Sequence, residues 1–351
     1  MALEQNSVYT GMRVDHVRFF VQDSASAADL WTRGYAFSEF QRIEDGRSRT
    51  VGVGRDDIRL LITEPRVPDH QAAIYVSRHG DGIADIGLGV ADARTAFHEA
   101  VSRGAVPLHG PTEDDGVVTA SILAFADVAH TFVQRAASGP LPPAGSPSAR
   151  DIGAAAIDHF AVCLPGGQLD PTVAFYEEVL DFRVVYEEKI FVGRQSMNSK
   201  VVQSTSGAVT FTLIEPDLAK SPGQIDTFLR DHGGAGIQHV ALRVPDIVRA
   251  VDQVQAAGVE FLSTPGRYYD RLDERIDLER HSVKDLRVRG ILADEDHDGQ
   301  LFQIFAKPVT PRNTFFVELI ERLGATTFGS GNIKALYEAV MQSHDAIEGA
   351  A

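Results

Sequence analysis

The chain has 351 residues, of which 44% are hydrophobic and 23% charged, a composition typical of a globular protein with enough apolar residues for two or more domains. Its formal net charge of -16 argues against nucleic acid as a partner, because phosphate binding draws on clustered Lys and Arg. Its single cysteine, Cys163, excludes an intrachain disulfide. The sequence shows no basic and apolar leader and no run of about 18 apolar residues, so we expect a cytoplasmic protein that neither is exported nor spans a membrane.

An internal repeat organises the chain. The first apolar strand, VDHVRFFVQD from Val14, returns as IDHFAVCLPG from Ile157. Each copy continues into an amphipathic helix, a turn and a return strand, in ADLWTRGYAFSEF and in TVAFYEEVLDFRVV. Then DDIRLLITEP from Asp56 mirrors GAVTFTLIEP from Gly207, and HGDGIADIGLG mirrors HGGAGIQHVAL. The pattern predicts two homologous halves, each with two units of strand, helix and several strands.

A segment rich in Pro, Gly, Ser and Ala, AASGPLPPAGSPSARD, separates the halves near Gly145 and has the composition of a linker. We therefore predict an N-terminal domain at 1–135, a linker at 136–152 and a C-terminal domain at 153–351. Four such units fit an α+β fold in which curved sheets enclose a cavity, and packed flat sheets remain an alternative.

The segment after the second half has no counterpart in the first. TFFVELIER predicts a strand, FGSG a turn, and NIKALYEAVM a helix that Asn332 can cap. Ile333, Leu336, Tyr337 and Val340 have the spacing of one apolar helix face, which requires a surface to pack on. We interpret this helix as a lid over the C-terminal half; an ordinary docked terminal helix is the alternative.

The halves differ at residues that can bind a metal ion. His159 has a counterpart in His16, but Asp85 stands where the second half has His239, and the strand with Glu318 has no convincing counterpart. A complete set of two histidines and one glutamate can therefore exist only in the C-terminal half. This ligand set leaves adjacent coordination positions open and is typical of non-haem iron(II) oxygenases.

Other roles for these residues remain open. A histidine on an apolar strand is more often a hydrogen-bonded core residue than a ligand. Glu318 lies in the otherwise apolar TFFVELIE, where strand alternation predicts that it shares a face with Phe316 and Ile320. A buried carboxylate requires a cation, and Arg322 is an alternative to a metal ion.

Five motifs resemble those of the 4-hydroxyphenylpyruvate dioxygenases and the related 4-hydroxymandelate synthases: IDHFAVCL, FYEEVLDF, GAGIQHVAL, LADEDHDGQLFQIF, and FFVELIER followed by FGSGNIKALYEA. The resemblance covers essentially the whole chain. It implies the vicinal oxygen chelate fold, with tandem βαβββ units and a C-terminal half that forms an open barrel around the metal. It further implies Fe(II) bound by His159, His239 and Glu318, with O2 as co-substrate and a small aromatic 2-oxo acid as substrate. A homodimer is left open.

Two residues resemble the hydroxymandelate-forming branch of the family. The homogentisate-forming branch typically has GNFKALFE in the terminal helix and Asn before the EP of the strand motif. Here the corresponding residues are Ile333 in GNIKALYE and Ile214 in LIEP. The resemblance therefore implies 4-hydroxymandelate and CO2 as products of 4-hydroxyphenylpyruvate. Homogentisate as the product is the alternative, with Ile333 merely filling the helix face.

The resemblance also implies residues that contact the substrate. Ser199, Thr212 and Gln303 occupy such positions, although Ser and Thr also commonly satisfy neighbouring backbone groups. Phe328 and Asn332 are expected to close the pocket. Gln224 and Gln238 are weaker candidates of the same kind, whereas we expect no catalytic role for Cys163.

Two further classes of function fit the same scaffold. One is another metal enzyme, such as an extradiol ring-cleaving dioxygenase or a metal-dependent isomerase, neither of which releases CO2. The other is a non-catalytic protein that binds a small molecule and needs no complete set of metal ligands.

Overall fold

The computed structural model of the chain describes residues 7–135, 151–329 and 332. The predicted linker lies outside these residues except for its last two positions, and so do Ile333 and the rest of the predicted terminal helix. The described residues form two eight-stranded sheets with helices packed against them. None of the described helices is long and apolar enough to cross a membrane.

The first sheet is built by residues of the N-terminal half. Its strands are β1 (Arg13–Phe20), β2 (Ser38–Glu44), β3 (Ser48–Arg55), β4 (Ile58–Pro65), β5 (Gly82–Gly89), β6 (Pro107–Asp114), β7 (Val117–Phe125) and β8 (Val128–Arg135). Its helices are α1 (Ser24–Asp29), which runs into a π-helical turn at Leu30–Gly34, α2 (Gln71–His79) and α3 (Ala93–Ser102). The strand order is β2-β3-β4-β1-β5-β8-β7-β6.

The second sheet is built by the C-terminal half. Its strands are β9 (Ala156–Cys163), β10 (Arg183–Val192), β11 (Gln195–Gln203), β12 (Thr210–Pro216), β13 (Gly236–Arg243), β14 (Leu292–Asp296), β15 (Gly299–Phe305) and β16 (Phe316–Leu323). Its helices are α4 (Leu169–Leu180), α5 (Gln224–His232), α6 (Ile247–Ala256), α7 (Leu272–Arg275) and α8 (Val283–Arg289), with a 3-10 turn at Gly266–Tyr268. The strand order is β10-β11-β12-β9-β13-β16-β15-β14.

The two strand orders are identical once eight is subtracted from the labels of the second sheet, which confirms the predicted repeat and the α+β class. In each sheet an antiparallel central pair is flanked by parallel partners: β9 pairs with β13, β12 with β9, and β13 with β16. The second sheet curls into a half-barrel, so the predicted curved sheet is confirmed and the flat-sheet alternative is wrong.

Burial along the strands reflects their place in the second sheet. The central strand β13 is buried at seven of its eight residues, because helices cover one face and the interior of the half-barrel lies on the other. The edge strand β10 instead alternates exposed and partly buried residues over most of its length. The central strands are therefore where a side chain reaches an enclosed site.

The halves pack against each other through aromatic and histidine side chains. Phe19 contacts the edge of Phe315 at a ring-centroid distance of 5.2 Å, and His79 stacks on His232 at 4.5 Å. His130 Nε2 of β8 lies 2.9 Å from the hydroxyl of Tyr176 on α4. These contacts join the two halves into one continuous core.

His130 makes stability depend on pH. Burial lowers the pKa of this fully buried histidine to about 4, against 6.5 in the unfolded chain, so the unfolded state binds the proton more tightly. We expect roughly 3 kcal/mol of unfolding free energy to be lost as the pH falls from 6.5 to 4. Denaturant titrations at several pH values should give a shallower dependence for His130→Gln and an unchanged one for the exposed His98→Gln. Equal slopes for wild type and His130→Gln would contradict this assignment.

Candidate active site

Three adjacent strands bring the predicted ligands together. His159 on β9 and Glu318 on β16 both pair in register with Ala241 on the central strand β13. His239 precedes Ala241 by two residues, so the pleat places it on the same face of the sheet. The side chain of Ala241 is small, so the side chains of His159, His239 and Glu318 can occupy the space above it. The strand register therefore explains why ligands about 80 residues apart converge.

The three side chains form a compact group of nitrogen and oxygen atoms. The Nε2 atoms of His159 and His239 lie 3.4 and 3.3 Å from the same oxygen, Oε2 of Glu318. All three residues are buried, and one ligand atom from each lies within 4.8 Å of the others. Nitrogen and oxygen ligands at about 2.0–2.2 Å from a common ion lie roughly 3 Å apart when at right angles. The donor set thus fits a divalent metal ion.

The local charges also favour a cation. Burial alone would raise the pKa of Glu318, but His159 and His239 hold it at about 2, so the carboxylate is ionised at neutral pH. Burial would likewise lower the pKa of His159, yet the carboxylates of Glu318 and Asp158 raise it to about 9. The field that raises its proton affinity also favours a divalent cation at Nε2.

A second layer of contacts orients the ligands. Asp158 Oδ1 lies 3.0 Å from Nδ1 of His159, the ring nitrogen directed away from Glu318. Gln303 donates from Nε2 to the other oxygen of Glu318, Oε1, at 2.8 Å. Outer contacts of this kind fix ring orientation and ligand basicity in metal sites.

The alternative role of Arg322 as the partner of Glu318 is wrong. Its guanidinium donates from Nε and Nη2 to the two carboxylate oxygens of Asp158, each at 2.9 Å. Its Nη1 donates to the carbonyl of Thr327 at 2.6 Å, and the guanidinium lies 5.1 Å from the ring centre of Phe328. Arg322 thus links the partner of His159 to the segment that contains Thr327 and Phe328.

The group faces a narrow pocket between the strands. Five residues expected to contact substrate line it: Ser199, Thr212, Ile214, Gln303 and Phe328. The weaker candidates Gln224 and Gln238 line it as well. Its free volume is about 40 Å³, enough for water but smaller than an aromatic acid, so substrate entry requires a wall side chain to move.

The pocket combines an apolar wall with a few polar atoms. Ile214 packs with Ile190 and Met197 on one side, and Phe328 meets the edge of the His159 ring at a centroid distance of 5.1 Å. Thr212 Oγ1 is buried without a hydrogen-bond partner among the described residues. Such an atom in a mainly apolar pocket is suited to orient a polar group of a ligand.

Asn332 contacts protein groups in the described structure. Its Nδ2 donates to Oε1 of Gln303 at 2.8 Å, and its Oδ1 accepts from the hydroxyl of Tyr268 at 3.0 Å. Both ends of the Gln303 amide are therefore engaged, one by Asn332 and one by Glu318. This arrangement favours a positioning role for Gln303 in addition to its place in the pocket wall.

The sequence interpretation missed Asp158 and considered Arg322 only as a partner of Glu318. A signal for them was present, because the doublet Asp-His occurs in both copies of the repeat, as Asp15 with His16 in the first. In that half Arg135 takes the place of Arg322 and binds Asp15 through two hydrogen bonds. The apolar wall residues Ile190, Met197 and Phe305 gave no signal of their own.

Two other clusters of possible ligand residues are less suited to a metal. Glu321 already pairs with Arg280 at 2.8 Å and with His281 at 2.9 Å, and it accepts the backbone N–H of Ile247. The cluster at Asp296–Asp298 lies in an accessible turn. Among the described residues of the N-terminal half, no such group occurs.

Comparisons with known proteins agree with this architecture. Residues 156–304 match the Glyoxalase/Bleomycin resistance protein/Dioxygenase superfamily. The chain is 30% identical to 4-hydroxyphenylpyruvate dioxygenase of Caenorhabditis briggsae, and the match covers 96% of this chain and 93% of that protein. It is 31% identical to 4-hydroxyphenylpyruvate dioxygenase of Xenopus tropicalis, where the match covers 94% of this chain and 91% of that protein. A solved structure of a triply substituted 4-hydroxymandelate synthase from Streptomyces coelicolor matches with a TM-score of 0.86 and 38% identity, over 95% of this chain and 98% of that one.

The tandem sheets and the His, His, Glu group define a metal-binding enzyme of the vicinal oxygen chelate superfamily. Within it, the chain belongs to the family of 4-hydroxyphenylpyruvate dioxygenases and 4-hydroxymandelate synthases, which are non-haem iron dioxygenases acting on 2-oxo acids.

Proposed function

We propose that the chain is an Fe(II)-dependent enzyme that converts 4-hydroxyphenylpyruvate and O2 to 4-hydroxymandelate and CO2. The observation that carries the product assignment is Ile214, an apolar side chain in the pocket wall where the homogentisate-forming branch typically has Asn. The 38% identity to a 4-hydroxymandelate synthase, against about 30% to the dioxygenases, supports the same assignment. The reaction balances, because one atom of O2 enters the new carboxylate and the other the benzylic carbon.

In this proposal His159, His239 and Glu318 hold Fe(II). The bound iron supplies activation of O2 and the oxidative loss of CO2 from the 2-oxo acid. The protein holds Glu318 ionised, keeps His159 oriented through Asp158, and leaves room for little water beside the metal ligands, in a pocket of about 40 Å³.

The substrate is oriented by the pocket wall. Ser199 and Thr212 are buried hydroxyl groups that line the cavity with the metal ligands, and we assign them to the polar groups of the substrate. The apolar side chains of Ile214 and Phe328 contact its ring. This division of roles orients the ring without a charged side chain, as in other small-molecule sites with few polar groups.

We also propose that the protein acts in the cytoplasm. The thiol of Cys163 is buried and free, which is compatible with a reducing compartment.

Homogentisate is the second candidate product, and the similarity of the chain to 4-hydroxyphenylpyruvate dioxygenases over more than 90% of its length favours it. A single-turnover experiment separates the two: anaerobic Fe(II) loading, addition of 4-hydroxyphenylpyruvate, exposure to air and chromatography. We expect 4-hydroxymandelate as the main product. Homogentisate as the main product would overturn the product assignment and leave the iron site intact.

Ile214→Asn is expected to shift part of the product towards homogentisate. An amide here replaces an apolar contact by a hydrogen-bonding group, which changes how the substrate's ring lies against the wall. The measurement is the ratio of the two products in single turnover. Ile214→Leu keeps the wall apolar at similar volume and should retain the wild-type ratio. An unchanged ratio in Ile214→Asn with intact turnover would remove Ile214 as a determinant.

A further inference from the structure

The sheet of the N-terminal half encloses a cavity of its own, about 240 Å³ in volume. Its polar lining includes Arg18, Asp85 and Thr131, and its apolar lining includes Phe20 and Tyr75, whose rings meet edge to face. This cavity is larger than the pocket beside His159, and nothing in the proposed reaction uses it. A concave site with an apolar wall and a few converging polar groups is the usual form of a small-molecule site.

The repeat relates this cavity to the candidate active site. Asp85 and Thr131 occupy the positions of His239 and Glu318, because Asp85 lies opposite Ala129 on β8 as His239 lies opposite Phe316 on β16. Thr131 donates to Oδ2 of Asp85 at 2.8 Å. The first half therefore keeps the arrangement of the site with a different set of side chains.

Arg18 is the side chain that has no equivalent in the second half. It pairs with Asp85 across the strands, whereas the residue paired with His239 is Ala161. Its contacts among the described residues are a hydrogen bond from Nη1 to Thr63 Oγ1 at 3.2 Å and the Asp85 carboxylate, 4.0 Å from Nε. Most of the five donors of this guanidinium therefore remain available to a ligand.

The charged side chains that line the cavity balance in number, with Arg18 and Arg78 against Asp85 and Asp127. They differ in how closely they are paired. Arg78 lies 3.0 Å from Asp127, whereas Nε of Arg18 lies 4.0 Å from the Asp85 carboxylate. The charge of Arg18 is therefore the less neutralised of the two positive charges, and it favours an anion.

Asp85 adds a second requirement for the ligand. Its Oδ1 atom is buried and has no hydrogen-bond partner among the described residues, although the residue lines the cavity. A buried acceptor of this kind favours a donor from the ligand. Because Arg18 and Asp85 are neighbours, the anionic group and the donor must lie close together in the same molecule.

We propose that this cavity is a second binding site, for a small carboxylate that carries a hydroxyl or ammonium group on the adjacent carbon and an apolar body. Arg18 binds the carboxylate with two parallel hydrogen bonds, and Asp85 accepts from the neighbouring hydroxyl or ammonium group. Phe20 and Tyr75 contact the apolar body. The 2-hydroxy acids and the 2-amino acids share this chemistry, and the proposal does not depend on the product assigned to the active site.

Calorimetric titration of the Fe(II)-loaded protein under argon tests the proposal with three probes: 4-hydroxymandelate, tyrosine and 4-hydroxyphenylacetate. We expect a binding event with 4-hydroxymandelate or tyrosine that Arg18→Gln weakens by at least about tenfold, the loss typical of a charged hydrogen-bond pair. The 4-hydroxyphenylacetate probe lacks the hydroxyl or ammonium group that donates to Asp85. It should therefore bind at Arg18 about tenfold more weakly than the better of the other two probes. Preference between the other two distinguishes hydroxy acids from amino acids.

Two further variants keep the test decisive. Arg94→Gln, outside the cavity lining, removes an arginine that pairs with Glu113 at 3.0 Å and should leave binding unchanged. If Arg18→Gln fails to fold, Arg18→Lys replaces it, because the lysine retains the charge. Arg18→Lys should also weaken binding, because an ammonium group cannot make the two parallel hydrogen bonds of a guanidinium. Equal affinities in wild type and every folded Arg18 variant, or no binding of any probe outside the active site, would overturn the proposal.

Discussion

Glu318→Gln is expected to lower the affinity for Fe(II) by more than about 100-fold and to reduce turnover to background, since a direct ligand should matter more than the outer contacts, whose loss costs about 10–100-fold. The glutamine preserves the shape and the hydrogen bond from Gln303 but removes the charge that two imidazoles face at 3.3 and 3.4 Å. Competition with a chelator under argon measures the affinity, and product formation measures the turnover.

Glu321→Gln is the matched control, because Glu321 is an equally buried carboxylate on the same strand. It pairs with Arg280 and His281, away from the pocket, so its replacement should lower stability and leave Fe(II) affinity nearly unchanged. Full retention of Fe(II) by Glu318→Gln, or equal losses in both variants, would contradict the assignment of Glu318 as a ligand.

Arg322→Met is expected to destabilise the fold by roughly 3 kcal/mol and to weaken Fe(II) binding by about 10–100-fold. The change leaves the more exposed Arg243 as the remaining arginine beside the buried Asp158 carboxylate, and it removes the donor to the Thr327 carbonyl. Asp158 then holds the His159 ring less firmly. Denaturant unfolding and the chelator competition measure the two effects separately.

Arg243→Gln provides the comparison for Arg322. Both arginines bind Asp158, but the side chain of Arg243 is 52% exposed and that of Arg322 only 10%. An exposed ion pair contributes little, so we expect less than about 1 kcal/mol and no change in Fe(II) affinity. An Arg322→Met protein that loses stability but binds Fe(II) as tightly as wild type would show a purely structural role.

The repeat allowed much of the fold to be predicted from the sequence, because equivalent apolar strands must pair in equivalent ways. Comparing the copies also singled out His239 and Glu318, which the first half lacks. The repeat also marked Asp158 through the shared Asp-His doublet, but it did not show that Arg322 binds this aspartate. In a strand, Glu318 and Arg322 share a face, so an ion pair between them was reasonable; only the fold shows that Asp158 lies closer to the guanidinium.

Side-chain roles inside the pocket depended on contacts that sequence spacing does not specify. Gln303 was expected to bind substrate, but whether its amide is occupied depends on Glu318 and Asn332, which lie 15 and 29 residues away. Arg18 could not be predicted from the repeat for a related reason. The two copies differ by metal ligands that the first half lacks, whereas Arg18 is a charge that the first half has and the second half replaces by Ala161.

Release of CO2 from carboxyl-labelled 4-hydroxyphenylpyruvate by the Fe(II)-loaded protein tests the central claim most directly, because it requires the metal, the 2-oxo acid site and O2 together. We expect one CO2 per substrate consumed, no release without O2, and none from Glu318→Gln. Substrate consumption without CO2 release would indicate a different metal enzyme on this scaffold, and tight substrate binding without consumption would indicate a binding protein; either result would contradict the assignment.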